Sequence, residues 1–176
     1  MSAPTRTLND VNLAAVAALA TNVQKSPQAA QTTWRADVEW TGAFTSRVQV
    51  RNFAPYNSDE PAALGGGDSA PNPVEQLLGA LGNCLAVGYA ANASAEGISI
   101  RSLRISLQGN IDLRTFLGLA QEHAGYQAIQ ANVHIDSDAT AEKLAALHNK
   151  VVGTSPVGHT LQRAIPLSIE LNQAGN

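Results

Sequence analysis

Residues 72–85 read Asn72-Pro73-Val74-Glu75-Gln76-Leu77-Leu78-Gly79-Ala80-Leu81-Gly82-Asn83-Cys84-Leu85. Proline tolerates the first helical turn and asparagine caps it, so Asn72-Pro73 marks a helix start. Leu77, Leu78, Leu81, Cys84, Leu85 and Val87 then recur at helical spacing, and the element carries to about Ala95 before Gly97. This is the most apolar helix of the chain. A glycine inside a helix costs about 1 kcal/mol relative to alanine. Gly79, Gly82 and Gly88 are therefore expected where another element approaches the backbone closely, in a central helix packed on more than one side.

Upstream of this helix, Ala54–Ala70 carries two prolines and the run Gly65-Gly66-Gly67, the composition of a long exposed loop. Loops of this length are often functional. Before it, Trp34, Ala36, Val38 and Trp40 alternate with Arg35, Asp37 and Glu39, which predicts a half-buried strand. A turn at Thr41-Gly42 leads into a second strand from Phe44 to Phe53, placing Arg47, Gln49 and Arg51 on one face. Asn9–Val23 has mixed helical spacing with Asp10 as a cap candidate, and a polar connector follows through Gln31.

Downstream, Leu103–Gln108 and Ile129–Asp136 alternate as one-face-buried strands, joined by a connection with a helical turn near Leu117. Leu144, Leu147 and Val151 form another helical stripe, with Asp138 and Thr140 as cap candidates and Gly153 as its stop. Ile165, Leu167, Ile169 and Leu171 predict a last strand, at an edge because of Pro166. The order αββαββαβ, with alternating rather than continuously apolar strands, predicts an antiparallel α+β fold.

Composition narrows the function. The 176 residues fit one domain, and the 11 basic and 14 acidic residues form no block that would attract nucleic acid or an anionic membrane. The opening MSAPTRTLND lacks an apolar leader core, and no run approaches the roughly 20 apolar residues that cross a bilayer. The expectation is a cytoplasmic protein with neither nucleic acid nor membrane as partner. A single cysteine excludes an intrachain disulfide and a multi-cysteine zinc site. His123, His134, His148 and His159 show no metal-ligand spacing, and Gly65–Asp68 lacks the lysine of a phosphate cradle, so no metal or cofactor is expected.

Cys84 has two readings. Pattern alone makes it a small, inert core residue. A reactive thiol must instead ionise, which burial opposes, so it requires a positive partner. At about three turns into its helix the macrodipole gives little help, which leaves Arg47 and Arg51 as candidates. Glu75, in the first helical turn, either orients such an arginine through a bidentate pair or is a carboxylate favourable at a helix start.

The 72–85 segment resembles the signature of the OsmC/Ohr family, in which an Asn-Pro-led helix delivers a reactive cysteine. GGGDSAPNP before it, ISIRSLRISLQGNIDL after it and VVGTSPVGHTLQRAIPLSIEL near the end extend the resemblance over roughly residues 33–171. The chain then divides into an N-terminal helix and connector, 1–32, similar to an addition in one branch, and an OsmC-like domain, 33–176. The resemblance implies an intertwined homodimer with antiparallel sheets around two long central helices and two active sites at the interface. It also implies that Cys84 is oxidised by an organic hydroperoxide, that an arginine and a glutamate set its thiolate, and that a thiol or dithiol reductant restores it.

Two departures stand out. Where the family usually has Cys-Pro-Val the chain has Ser155-Pro156-Val157, so the second cysteine is a serine. In the Ohr branch a glutamate follows Asn-Pro directly, whereas here that place is Val74 and the carboxylate is Glu75. Ser155 before Pro156 reads as the cap of a short helical turn through Thr160; a triad with His159 and Asp136 lacks a nucleophile elbow. The leading expectation is a one-cysteine thiol peroxidase. The alternatives are a non-catalytic dimer holding a small apolar or electrophilic ligand, and a scaffold whose Cys84 is only core.

Overall fold

The computed structural model describes residues 7–173, which leaves Met1–Arg6 of the opening stretch and Ala174–Asn176 outside the described residues. Within them the fold is mixed α+β with antiparallel sheets, as expected. Four helices and five strands follow in the order α1 (Leu13–Lys25), β1 (Asp37–Gly42), β2 (Thr45–Gln49), β3 (Tyr56–Ser58), α2 (Pro73–Ala95), β4 (Ile100–Ile111), β5 (Tyr126–Ser137), α3 (Ala141–Thr154) and α4 (Pro156–Gln162).

The 23-residue α2 organises the molecule. Its start is a complete capping box: the Glu75 N–H donates to Asn72 Oδ1 and the Asn72 N–H donates to Glu75 Oε2, each at 2.9 Å. Leu81, Leu85, Tyr89 and Ala93 follow at four-residue spacing and are buried, forming with Ile98, Leu147 and Val151 the core between α2, the β4–β5 hairpin and α3. The hairpin pairs in long register, with Leu103 opposite Ile135, Ile105 opposite Val133 and Leu107 opposite Ala131. Its connection does contain a helical turn at Leu117, whose N–H donates to Leu113.

Two of the three helical glycines meet the expected close approach. A Cβ on Gly82 would stand 2.9 Å from Leu107 Cδ1. Gly79 faces open space in the protomer.

The second sheet is a three-stranded antiparallel meander, β1-β2-β3. β1 is not half-buried as the alternation predicts: Val38 and Trp40, like Trp34 before the strand, are all largely exposed, because no second layer among the described residues covers either face. β2 ends at Gln49, and Arg51 lies beyond it in a turn with φ +49°, so the two arginines do not share a strand face. The 54–70 loop is more ordered than its composition predicts, holding β3 and a 3-10 turn at Ala62–Leu64. Its centre is Asp59, 1% exposed, which accepts the Glu60, Gly67 and Ser69 N–H groups and the Ser69 hydroxyl. Gly66 is required there, since a Cβ would stand 1.9 Å from the Glu60 carbonyl oxygen.

Other corrections fall at the ends. The cap of α1 is Asn12, whose Oδ1 accepts the Ala15 N–H, rather than Asp10, which lies in a preceding 3-10 turn. In that turn the Asn9 amide donates to Ser94 Oγ and to the Ile98 carbonyl, and its Oδ1 accepts the Ile100 N–H, clasping the chain start to the far end of α2. α3 passes Gly153 to end at Thr154, with Thr140 as its cap. Ile165–Leu171 form no strand among the described residues: a strand needs a hydrogen-bonded neighbour, the protomer gives these residues none, and their apolar side chains stand 57–87% exposed.

Candidate active site

Cys84 is half-buried on α2, one turn after Ala80 and on the flank of the core stripe rather than within it. Its Sγ lies 3.3 Å from Ser155 Oγ. The α3–α4 junction brings Ser155 there, because Ser155 ends one helix and caps the next, its Oγ accepting the Gly158 N–H at 3.1 Å. The expected cap role of Ser155 is thus present, and the same hydroxyl touches the thiol.

Cys84 opens on an apolar cavity of about 340 Å³, walled by Val87, Gly88, Val151 and Pro156. A second cavity of about 580 Å³ lies on the other side of the junction, between Leu77, Leu81 and Leu85 of α2, Tyr126 and Ile129 of β5, and Leu161 of α4. Ser155 borders both.

The other sequence candidates lie elsewhere in the protomer. Glu75 is held in the capping box, nine residues and so about 13 Å along the helix axis from Cys84. Arg47 donates to Glu39 across the β1–β2 hairpin at 2.6 Å. Arg51 stacks its guanidinium over Phe53, 4.6 Å from the ring centroid. The structure therefore brings together Cys84 and Ser155, and it does not bring either arginine or Glu75 to the thiol within one chain. His159 and Asp136 are likewise apart: Asp136 pairs with Arg101 on the β4–β5 hairpin. Among the described residues no group of three or more histidine, cysteine or acidic side chains is placed to hold a metal ion.

The close approach expected at Gly88 is made by Val151, whose Cγ1 is 2.9 Å from where a Cβ would lie, and one further feature near the site had no clear signal in the sequence. Tyr89, 2% exposed, hydrogen-bonds His148 Nδ1 across the α2–α3 contact, and burial pushes its phenol above the ordinary range.

Fold and site together define a class: α+β proteins in which a long, glycine-bearing helix, flanked by antiparallel sheets, presents one thiol to an apolar cavity. Within that class the chain belongs to the OsmC-like protein family, whose model matches residues 65–170. Among solved structures it is similar to an OsmC-like protein from Mycoplasma pneumoniae, with 18% identity, a TM-score of 0.65, and 75% of this chain and 89% of that one covered. It is similar also to an organic hydroperoxide resistance protein OsmC from Legionella pneumophila, with 18% identity, a TM-score of 0.58 and coverage of 76% and 91%. An organic hydroperoxide resistance protein from Elizabethkingia anophelis has 18% identity, a TM-score of 0.56 and coverage of 75% and 89%. Comparison with curated proteins returns no match.

Proposed function

We propose that the protein reduces organic hydroperoxides with Cys84 as its one reacting thiol, in defence against oxidative stress. The observation that carries this reading is the Cys84 sulfur itself, half-buried, hydrogen-bonded to Ser155 and open to an apolar cavity. An inert core cysteine would have neither the cavity nor a polar partner. Family membership, and the organic hydroperoxide resistance proteins among its structural neighbours, support the stress-defence role.

In the first step the thiolate attacks the terminal peroxide oxygen. An S–O bond forms, the O–O bond breaks, and the alkoxide takes a proton and leaves as alcohol, the sulfur losing two electrons. With no second cysteine in the chain, an external thiol condenses with the sulfenic acid and releases water. A second thiol, or the other arm of a dithiol, then displaces Cys84 as its thiolate, so that the two external thiols have supplied the two electrons and leave as a disulfide. That dependence suits a reducing compartment, the cytoplasm.

The working unit is a homodimer in this proposal. Three observations favour it: the exposed strand β1, the unpaired apolar run Ile165–Leu171, and Val87, 69% exposed in the middle of the central helix. A partner would cover these surfaces and bring Arg47 or Arg51 of one copy to Cys84 of the other, giving the thiolate its positive neighbour. Glu75, in this arrangement, acts by holding the helix start.

Stopped-flow oxidation with cumene hydroperoxide and with hydrogen peroxide, on wild type and Cys84→Ser, tests the proposal. Fast, Cys84-dependent consumption that prefers the organic peroxide is expected. A rate no faster than that of free cysteine would overturn it.

A further inference from the structure

We infer that Ser155 is a preset hydrogen-bond donor to Cys84 Sγ, a positioning residue whose bond to the sulfur is stronger when that sulfur is a thiolate than when it is a thiol. The inference rests on the proposed role of Cys84 as the reacting thiol, and it is carried by the hydrogen-bond inventory of one hydroxyl.

Ser155 is only 4% exposed, so its Oγ is surrounded chiefly by protein atoms. A serine hydroxyl has one proton to give and two lone pairs to receive with. One lone pair is already committed to the Gly158 N–H, at 3.1 Å. The proton needs an acceptor, and the contact the structure provides is Cys84 Sγ at 3.3 Å.

Direction then follows from the protonation state of the sulfur. A neutral thiol could donate to Ser155, but the serine proton would then be left buried without an acceptor, an expensive arrangement. A thiolate can only accept. The full set of bonds, Gly158 N–H to Oγ and Oγ–H to Sγ, therefore forms when Cys84 accepts, and it gains most when the sulfur is charged. The backbone N–H polarises the hydroxyl it donates to, so the two bonds reinforce each other. Ser155 cannot form a disulfide, so the residue supports ionisation without resolving the oxidised product.

Because Cys84 is the only cysteine, cysteine labelled at Cβ gives a single resonance whose pH titration reports ionisation with no need for reagent access or peroxide chemistry. That titration, on wild type, Ser155→Ala, Ser155→Gly and Ser155→Thr, is the test. Alanine and glycine are expected to raise the midpoint by about one pH unit, a roughly tenfold change in the acid dissociation constant, from loss of one charge-assisted bond. Threonine, which keeps the hydroxyl, is expected to stay near wild type. Glycine weakens a helix cap by only a few tenths of a kcal/mol, so a shift shared by alanine and glycine belongs to the lost donor rather than to fraying of α4. Unchanged midpoints in both variants, or a threonine variant that shifts as far as alanine, would overturn the inference. A shifted midpoint in a protein that does not consume peroxide would instead sink the peroxidase proposal and leave the role of Ser155 standing.

Discussion

Val151 of α3 occupies the space that a side chain on Gly88 of α2 would need. Its Cγ1 is 2.9 Å from the position of a Cβ there, and Val151 is buried, 1% exposed. Gly88→Ala gains about 1 kcal/mol of helix propensity, but forcing a buried, β-branched neighbour aside costs typically 1–3 kcal/mol. The expected outcome is a net destabilisation of about 1 kcal/mol in urea unfolding, reversed in part by adding Val151→Ala. A variant as stable as wild type would show that the two helices separate freely.

Replacing the hydroxyl beside the thiol by a second thiol should change the chemistry in kind. With Oγ and Sγ 3.3 Å apart, Ser155→Cys puts two sulfurs within reach of a bond after small rotamer changes. Oxidation by one equivalent of hydroperoxide is expected to give an intrachain disulfide, seen by intact mass and by loss of both alkylation sites. Retention of two free thiols after oxidation would rule out that geometry.

The Asp59 clasp should set the acid sensitivity of the loop before α2. Hydrogen bonds, first from the Ser69 hydroxyl and N–H and then from Glu60 and Gly67, hold its carboxyl at about 2, below the ordinary 3.8. A carboxyl depressed in the folded state contributes stability that is complete above its unfolded value and is lost as pH falls through the folded one. Urea midpoints of wild type should therefore fall from about pH 5 towards about pH 2 more steeply than those of Asp59→Asn, which is less stable at neutral pH. Parallel pH profiles would remove Asp59 from the account.

Val87 lies three residues beyond Cys84 on the exposed side of the central helix. If that side is the proposed dimer contact, Val87→Asp places a charge where a neighbouring helix must pack. Sedimentation velocity should show wild type as a dimer and the variant as a folded monomer. A wild-type monomer at micromolar concentration would remove the dimer proposal altogether.

What could be read in the sequence was what is decided locally. Asn72-Pro73 with Glu75 three residues on from Asn72 specifies a helix start through bonds within one turn, and the capping box is there. Ser155-Pro156 works the same way. The long β4–β5 hairpin was legible because its alternation meets a single buried face inside the protomer. β1 and Ile165–Leu171 carry equally clear alternation, yet the apolar side chains of those segments have no cover among the described residues. β3 spans three residues, too few for a period, and Asp59 finds its donors up to ten residues away across a glycine-rich loop. The site itself divides in the same manner. Cys84 was marked by its motif, whereas its contact with Ser155 joins residues 71 positions apart and depends on how α3 and α4 meet α2.

The clasp at Asn9 makes the exposed part of the chain a strap rather than a free arm. One end is tied to the finish of α2 through Ser94, Ile98 and Ile100. The other is tied to its beginning, where Ser58 donates to the Pro71 carbonyl and Asp59 closes the loop. Everything between, α1 and the three-stranded sheet included, is a closed loop anchored across a helix about 34 Å long. Such a loop can be laid over a neighbouring molecule and held there, but it cannot be drawn out again end first. Two copies that embraced each other in this way would part only after one anchorage had melted, so the exchange of subunits would run at the pace of local unfolding rather than of diffusion.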